Sequence, residues 1–91
     1  VQPDIVESIS LQVYPNPAAD YINLHVTFAQ PSNSTISLLD MQGNSIAEIP
    51  SVKGTTEQTI RWNIPASLGA GNYFIMVRSG QQKMVKKIII L

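Results

Sequence analysis

The sequence predicts an all-β fold, a two-layer antiparallel β-sandwich of immunoglobulin-like architecture with about seven strands. Apolar and polar residues alternate with a period of two in several short segments, which is the pattern of strands that bury one face. Turn residues recur between these segments at intervals of roughly 8–12 residues, and helical periodicity is lacking. A small closed barrel is the structural alternative.

The strands follow from the alternation of apolar and polar residues along the chain. Residues 30–34 are predicted to form a turn because of their composition, and residues 66–68 could form one turn of helix. The first predicted strand is a short edge strand that begins at Ser10 and ends at Pro15. The others span residues 20–28, 35–39, 44–49, 57–64, 72–78 and 82–91. The predicted core consists of Ile22, Leu24, Val26, Ile36, Leu38, Ile60, Trp62, Tyr73, Ile75 and Val77.

Size and composition indicate one domain and exclude several classes of site. The chain has 91 residues, and its lack of cysteine excludes disulfides, thiolate chemistry and cysteine zinc sites. Six basic and six acidic residues cancel, so charge gives no case for nucleic-acid binding. The longest apolar runs are too short to insert in a membrane as a helix. Because the sequence begins at Val1 without Met or signal peptide, it is predicted to be a domain of a longer protein. Because it stops inside an apolar run, it is predicted to be the last domain.

Catalytic, metal and cofactor sites are not predicted. The single histidine, His25, falls on the polar face of its strand and is expected to face solvent. The carboxylates are scattered singly, which is unlike a glycosidase pair. Gly69 and Gly71 lead into a strand rather than into a helix N-terminus, so they do not form a phosphate loop. The sequence therefore predicts a domain that is not an enzyme and holds no metal or cofactor.

The segment from Tyr14 to Asp20 contains two prolines one residue apart and is predicted to be a stiff connector. Pro15 and Pro17 fix their own φ angles and lack backbone donors. Each also restricts its predecessor to extended geometry. A helix or a central strand therefore cannot pass through this segment.

The last strand carries the features that suggest a partner surface. Lys83, Lys86 and Lys87 could form a recognition patch, or they could protect an edge strand from unwanted pairing. The run of Ile88, Ile89, Ile90 and Leu91 must either pair inside the sandwich, which the sequence favours, or form an exposed edge. The same edge could also pair two copies of the chain.

Four motifs, in order, resemble the C-terminal sorting domain of the type IX secretion system of Bacteroidetes. The first is Tyr14-Pro15-Asn16-Pro17 with Asp20, and the second is the Asp40 to Gly43 turn. The third is Gly71 with Tyr73, and the fourth is Lys86 and Lys87 before the apolar end. The resemblance runs from about residue 10 to residue 91, so residues 10–91 are expected to be the sorting domain. Residues 1–9 are expected to be a linker or a first, weak edge strand.

The resemblance implies a non-enzymatic signal at the C-terminus of a larger cargo protein. The type IX translocon would recognise the domain and carry the cargo across the outer membrane. A sortase-like peptidase at the cell surface would then cut in or near residues 1–9. The resemblance makes the lysines and the terminal strand the candidates for partner contact. The lysine that the family carries in its last strand corresponds to either Lys86 or Lys87. The motif residues Tyr14, Pro15, Asn16, Pro17, Asp20, Asp40, Gly43, Gly71 and Tyr73 would shape the domain or be recognised.

Two other functions fit a cysteine-free sandwich. One is an accessory module that binds carbohydrate or acts as a spacer in an extracellular enzyme, and the other is a component of a surface array. A carbohydrate-binding module should expose a flat aromatic platform. Burial of Trp62 and Tyr73 would therefore count against it.

Overall fold

The computed structural model describes residues 9–91, which form seven β-strands without a helix. Each alternating segment of the sequence becomes a strand, so the predicted all-β fold is confirmed. The predicted linker lies outside the described residues except for Ile9, which begins the first strand and pairs with Phe28. The strands are β1 (Ile9–Tyr14), β2 (Tyr21–Ser32), β3 (Thr35–Leu39), β4 (Ser45–Ile49), β5 (Thr55–Asn63), β6 (Gly71–Ser79) and β7 (Gln82–Ile90).

The strands form two antiparallel sheets, as the sandwich prediction requires. The first sheet has the order β1-β2-β5, and the second has the order β4-β3-β6-β7. In immunoglobulin lettering, the first sheet corresponds to strands A, B and E, and β3, β6 and β7 correspond to C, F and G. The fourth strand lies beside C, whereas in a constant-type domain it lies beside E. The presence of two separate sheets decides against a closed barrel.

The core lies between the sheets and is built from the inward residue of each alternating pair. On β2 these are Ile22, Leu24, Val26 and Phe28, all buried. Three predicted core residues are only partly buried, and they pack against the edge of the core: Ile60, Trp62 and Tyr73. Ile60 and Trp62 lie on β5, an edge strand with a neighbour on one side only. The buried hydrophobic residues that the predicted core omitted are Ile9, Leu11, Ala18, Phe28, Ile49, Ile88 and Ile90.

The turn predicted at residues 30–34 is wrong for its first half, because β2 continues through Pro31 to Ser32. Ser32 pairs with Thr55, after a register shift that begins at Thr27. Proline is tolerated in a strand at such an irregularity, because the pairing there does not require the N–H that proline lacks. The helical turn considered at residues 66–68 is a hydrogen-bonded turn, in which the Leu68 N–H donates to the Pro65 carbonyl at 3.0 Å.

The alternating strand directions give the sandwich two distinct ends. The pairs Tyr21–Asn63 and Gly71–Ile90, with the bridge between Ala18 and Ile90, bring one set of strand ends together. We call this end the Leu91 pole; it holds the connections at residues 15–20, 40–44 and 64–70 and the last residue of the sequence. The opposite end, the Ile9 pole, holds the start of β1 and the connections at residues 33–34, 50–54 and 80–81.

Candidate functional site

The first predicted motif contacts the last strand directly. The Asn16 side-chain amide donates to the Lys87 carbonyl at 3.1 Å, and its oxygen accepts from the Ile89 N–H at 3.0 Å. One side chain therefore satisfies both a backbone acceptor and a backbone donor on the outer edge of β7. Both proline bonds of the motif, Tyr14–Pro15 and Asn16–Pro17, are cis.

Ala18 continues the same contact by one short parallel bridge. Its N–H donates to the Ile89 carbonyl at 2.8 Å, and its carbonyl accepts from the Leu91 N–H at 2.8 Å. Its side chain is buried. We call residues 16–18 the clasp, because they pair with the outer edge of β7 from Lys87 to Leu91.

The third motif lies on the other side of the same strand segment. Gly71 pairs with Ile90, and Tyr73 pairs with Ile88. Gly71 has a φ of +151°, a backbone conformation that L side chains rarely adopt. The Tyr73 hydroxyl donates to the Gly69 carbonyl at 2.7 Å, so the ring ties the start of β6 to the loop before it. This resembles the tyrosine corner of immunoglobulin-like domains.

The second motif closes the β3–β4 turn through one carboxylate. Asp40 Oδ1 accepts from the backbone N–H groups of Gln42 and Asn44, at 3.0 and 2.9 Å. The Gly43 N–H donates to the Asp40 carbonyl at 3.0 Å, and Gly43 has a φ of +89°. The hydrogen bond from the Asn44 N–H favours the charged form of Asp40 most strongly, and weaker bonds come from Gln42, the Asn44 side chain and Gly43. Together they outweigh desolvation and hold the pKa of Asp40 below its usual 3.8.

Replacing Asp40 with Ala is therefore expected to destabilise the domain at neutral pH and to have a diminishing effect in acid. The lowered folded-state pKa means that the carboxylate stabilises the fold above its unfolded pKa, and this contribution is lost as pH falls through the folded pKa. Melting temperatures of the wild type and Asp40→Ala, measured across the acidic range, should converge. Glu48→Ala, which removes an exposed carboxylate from β4, is the control for lost charge. A difference that stays constant with pH would contradict this account.

The predicted contact residues on β7 separate into buried and exposed sets. Ile88 and Ile90 are 0% and 3% exposed, so in the folded domain they are core residues and cannot contact a partner. Ile89 and Leu91 are 38% and 72% exposed. The exposed candidates are therefore Lys83, Lys86, Lys87, Ile89 and Leu91.

Strand alternation places the two adjacent lysines on different faces of the second sheet. Lys87 pairs with Phe74 and lies on the outer face, together with Lys83 and Arg78. Lys86 pairs with Ile75 and has the parity of the inner face, yet its side chain is exposed. The one ion pair within residues 9–91 joins His25 and Glu57. The four cationic side chains on β6 and β7 are therefore unpaired among these residues: Arg78, Lys83, Lys86 and Lys87.

His25 is part of a polar row on the outer face of the first sheet. Its Nδ1 lies 3.0 Å from Thr59 Oγ1, and its Nε2 lies 2.9 Å from Glu57. The prediction that it simply faces solvent is thus incomplete, because both ring nitrogens have cross-strand partners. The row lies on the outer face of its sheet, and a depression of about 310 Å³ elsewhere in the described residues is lined by other groups, among them Glu48 and Lys53.

Three of the chain's aromatic residues are unsuited to a carbohydrate platform. Trp62 and Tyr73 are partly buried and pack against the core. The Arg61 guanidinium covers the ring of Tyr21 at 3.9 Å. These positions give little support to the carbohydrate-binding alternative.

Two kinds of feature are absent from the part of the chain that the structure describes. Within it, His, Asp and Glu residues nowhere gather in a group of three or more that could hold a metal ion. The same residues include no helix with the length and hydropathy needed to cross a membrane.

The structure brings all four predicted motifs to the Leu91 pole. The clasp and the Gly71–Tyr73 segment lie on either side of the terminal strand, and the Asp40 turn follows β3, whose Leu39 pairs with Phe74. Ala18 is the one contributor that the motifs did not include. Its only sequence signal is its position two residues after Asn16. In an extended segment, residues two positions apart direct their groups to the same side, here towards β7.

Comparison with known proteins yields one match. Residues 12–91 match the model of a family described as the secretion system C-terminal sorting domain. The matched region contains all four motifs and the whole of the Leu91 pole. No curated protein and no solved structure matches the chain.

Proposed function

Since the chain belongs to the family of secretion system C-terminal sorting domains, we propose that the type IX machinery recognises it as a folded domain rather than as a linear peptide. The family membership confirms the resemblance predicted from the four motifs. As a type IX sorting signal, the domain directs export across the outer membrane. Proteolytic processing and the contact surface are the further parts of the proposal.

The observation that carries this proposal is the convergence of the motifs on the terminal strand. Asn16 and Lys87 are 71 positions apart in sequence, yet they form a direct hydrogen bond. An unfolded chain would hold these motifs at no fixed distance from one another. The arrangement that a receptor could read therefore exists only after the domain has folded.

The two poles suggest how cargo and signal are kept apart. A C-terminal sorting domain follows its cargo, so the cargo would join ahead of residue 1, and the described chain starts at the Ile9 pole. The motifs lie at the opposite pole. We infer that the cargo leaves the Leu91 pole uncovered and accessible to the machinery.

A surface sortase-like peptidase would then remove the domain by cutting in or near residues 1–9. This segment is polar, contains Pro3 and lacks strand periodicity, which suits a protease-accessible linker. Residues 1–8 precede β1, so a cut among them would leave the seven strands intact. The cargo would finally reside at the cell surface or in the medium.

Fusion to a reporter tests the proposal. Residues 1–91 are placed at the C-terminus of a folded periplasmic reporter in a type IX-competent bacterium and in a matched strain lacking the translocon. We expect the reporter at the cell surface or in the medium of the first strain and in the periplasm of the second. Retention in the periplasm of both strains would contradict the proposed function. N-terminal sequencing of the released domain would locate the cut.

A further inference from the structure

The outer edge of β7 is divided into a closed half and an open half. The clasp engages the Lys87 carbonyl, both backbone groups of Ile89 and the Leu91 N–H. These groups all belong to odd-numbered residues, as expected for an antiparallel strand whose other residues bond to the inner neighbour. The clasp thus closes the edge from the Lys87 carbonyl to Leu91.

The same alternation identifies the open half. The backbone N–H and C=O groups of Lys83 and Val85, and the N–H of Lys87, point away from β6. Among residues 9–91, the ladder pairs β7 with β6 only, and no further bond to these groups is present. An edge of this kind can accept an additional strand.

The side chains on the open half give it a specific chemistry. Lys83, Val85 and Lys87 lie on the outer face, so a basic, an apolar and a basic residue occupy successive positions of that face. Val85 is 43% exposed. Arg78 pairs with Lys83 and adds a third cation to the face. Neither β6 nor β7 contains a carboxylate, so this charge is unbalanced locally.

We propose that this open edge receives an extended segment of the secretion machinery, which adds to the second sheet as a fifth strand. The segment would place carboxylates opposite Lys83 and Lys87 and an apolar side chain opposite Val85. Opposite charges on directly paired strand positions stabilise a sheet, whereas like charges destabilise it. This inference rests on the proposed function and names the chemistry of the partner.

The same lysines disfavour a second copy of the chain at this edge. Antiparallel self-pairing centred on Val85 would set Lys83 of one copy against Lys87 of the other. The open half is thus protected against self-pairing and remains complementary to an acidic strand. The unpaired backbone edge and its positive charge therefore both favour an acidic strand of the machinery.

Two pairs of variants of the reporter fusion test the proposal. Val85→Pro removes one outward N–H, and Val85→Thr changes the side chain but keeps that N–H. The glutamine pair, Lys83→Gln with Lys87→Gln, changes the net charge by −2. Its control, Asn33→Asp with Asn63→Asp, makes the same change in charge at two exposed positions elsewhere. We expect export to fall about tenfold or more with Val85→Pro and with the glutamine pair, the factor set by about 1.4 kcal/mol of binding. Export should fall less with Val85→Thr, which keeps the N–H, than with Val85→Pro. The variant with Asn33→Asp and Asn63→Asp should be exported normally.

The outcomes distinguish this inference from the proposed function. Normal export of both test variants, while the wild-type fusion is exported, would overturn the strand-addition proposal alone. Loss of export with the glutamine pair but not with Val85→Pro would show that charge alone is read, as by an anionic lipid surface, and would also overturn it. Thermal unfolding of each purified 91-residue chain shows whether it is folded. The glutamine pair changes side chains only, so the Lys87 carbonyl that accepts from Asn16 is retained.

Discussion

Removal of residues 87–91 is expected to unfold the domain and to abolish export of a fused reporter. The deletion removes Ile88 and Ile90 from the core, where they are 0% and 3% exposed. Truncating a single buried isoleucine to alanine costs about 2–5 kcal/mol, and a whole domain has only about 5–15 kcal/mol of stability. The deletion also removes the strand to which the clasp and Gly71 pair. Circular dichroism and urea unfolding of the purified chain would report the loss of structure.

The matched control for this truncation is Ile89→Ala. Ile89 belongs to the same terminal segment, but it lies on the outer face and is 38% exposed. Its truncation should change the free energy of unfolding by well under the cost of a buried isoleucine. A truncated chain that still unfolded cooperatively would contradict the prediction. If it unfolds as expected, failed export of the truncation reports loss of the fold and does not identify a contact with the translocon.

The architecture could be predicted from sequence because strand alternation is a local property. On β3, Ile36 and Leu38 were expected to face inward, and both are fully buried. The alternation on β2 predicted its buried face equally well. Pro31 misled the prediction because composition normally associates proline with a turn, whereas an irregular pairing accommodates it in β2. Local patterns therefore identify a strand better than they identify its end.

The candidate site was harder to predict because it depends on contacts between distant segments. Asn16 between two prolines indicated only a stiff connector, and its bonds to Lys87 and Ile89 leave no periodic signal in either segment. The run from Ile88 to Leu91 indicated burial but not which residues were buried. Once β7 is placed beside β6, the period of two assigns Ile88 and Ile90 to the core and Lys87 and Ile89 to the outer face.

Asn16→Ala is expected to lower the free energy of unfolding by about 1–2 kcal/mol, because two hydrogen bonds are lost and water can replace them only partly. The Ile89 amide should then exchange with solvent faster, since its acceptor is the Asn16 side chain. Urea unfolding and amide exchange measured by NMR test the two effects. Asn33→Ala, which truncates an exposed asparagine at the Ile9 pole, is the control and should change stability by less than about 0.5 kcal/mol. Unchanged exchange at Ile89 would show that the clasp does not hold the last strand in solution. Faster exchange there would instead establish that the connector at the start of the domain stabilises the strand at its end.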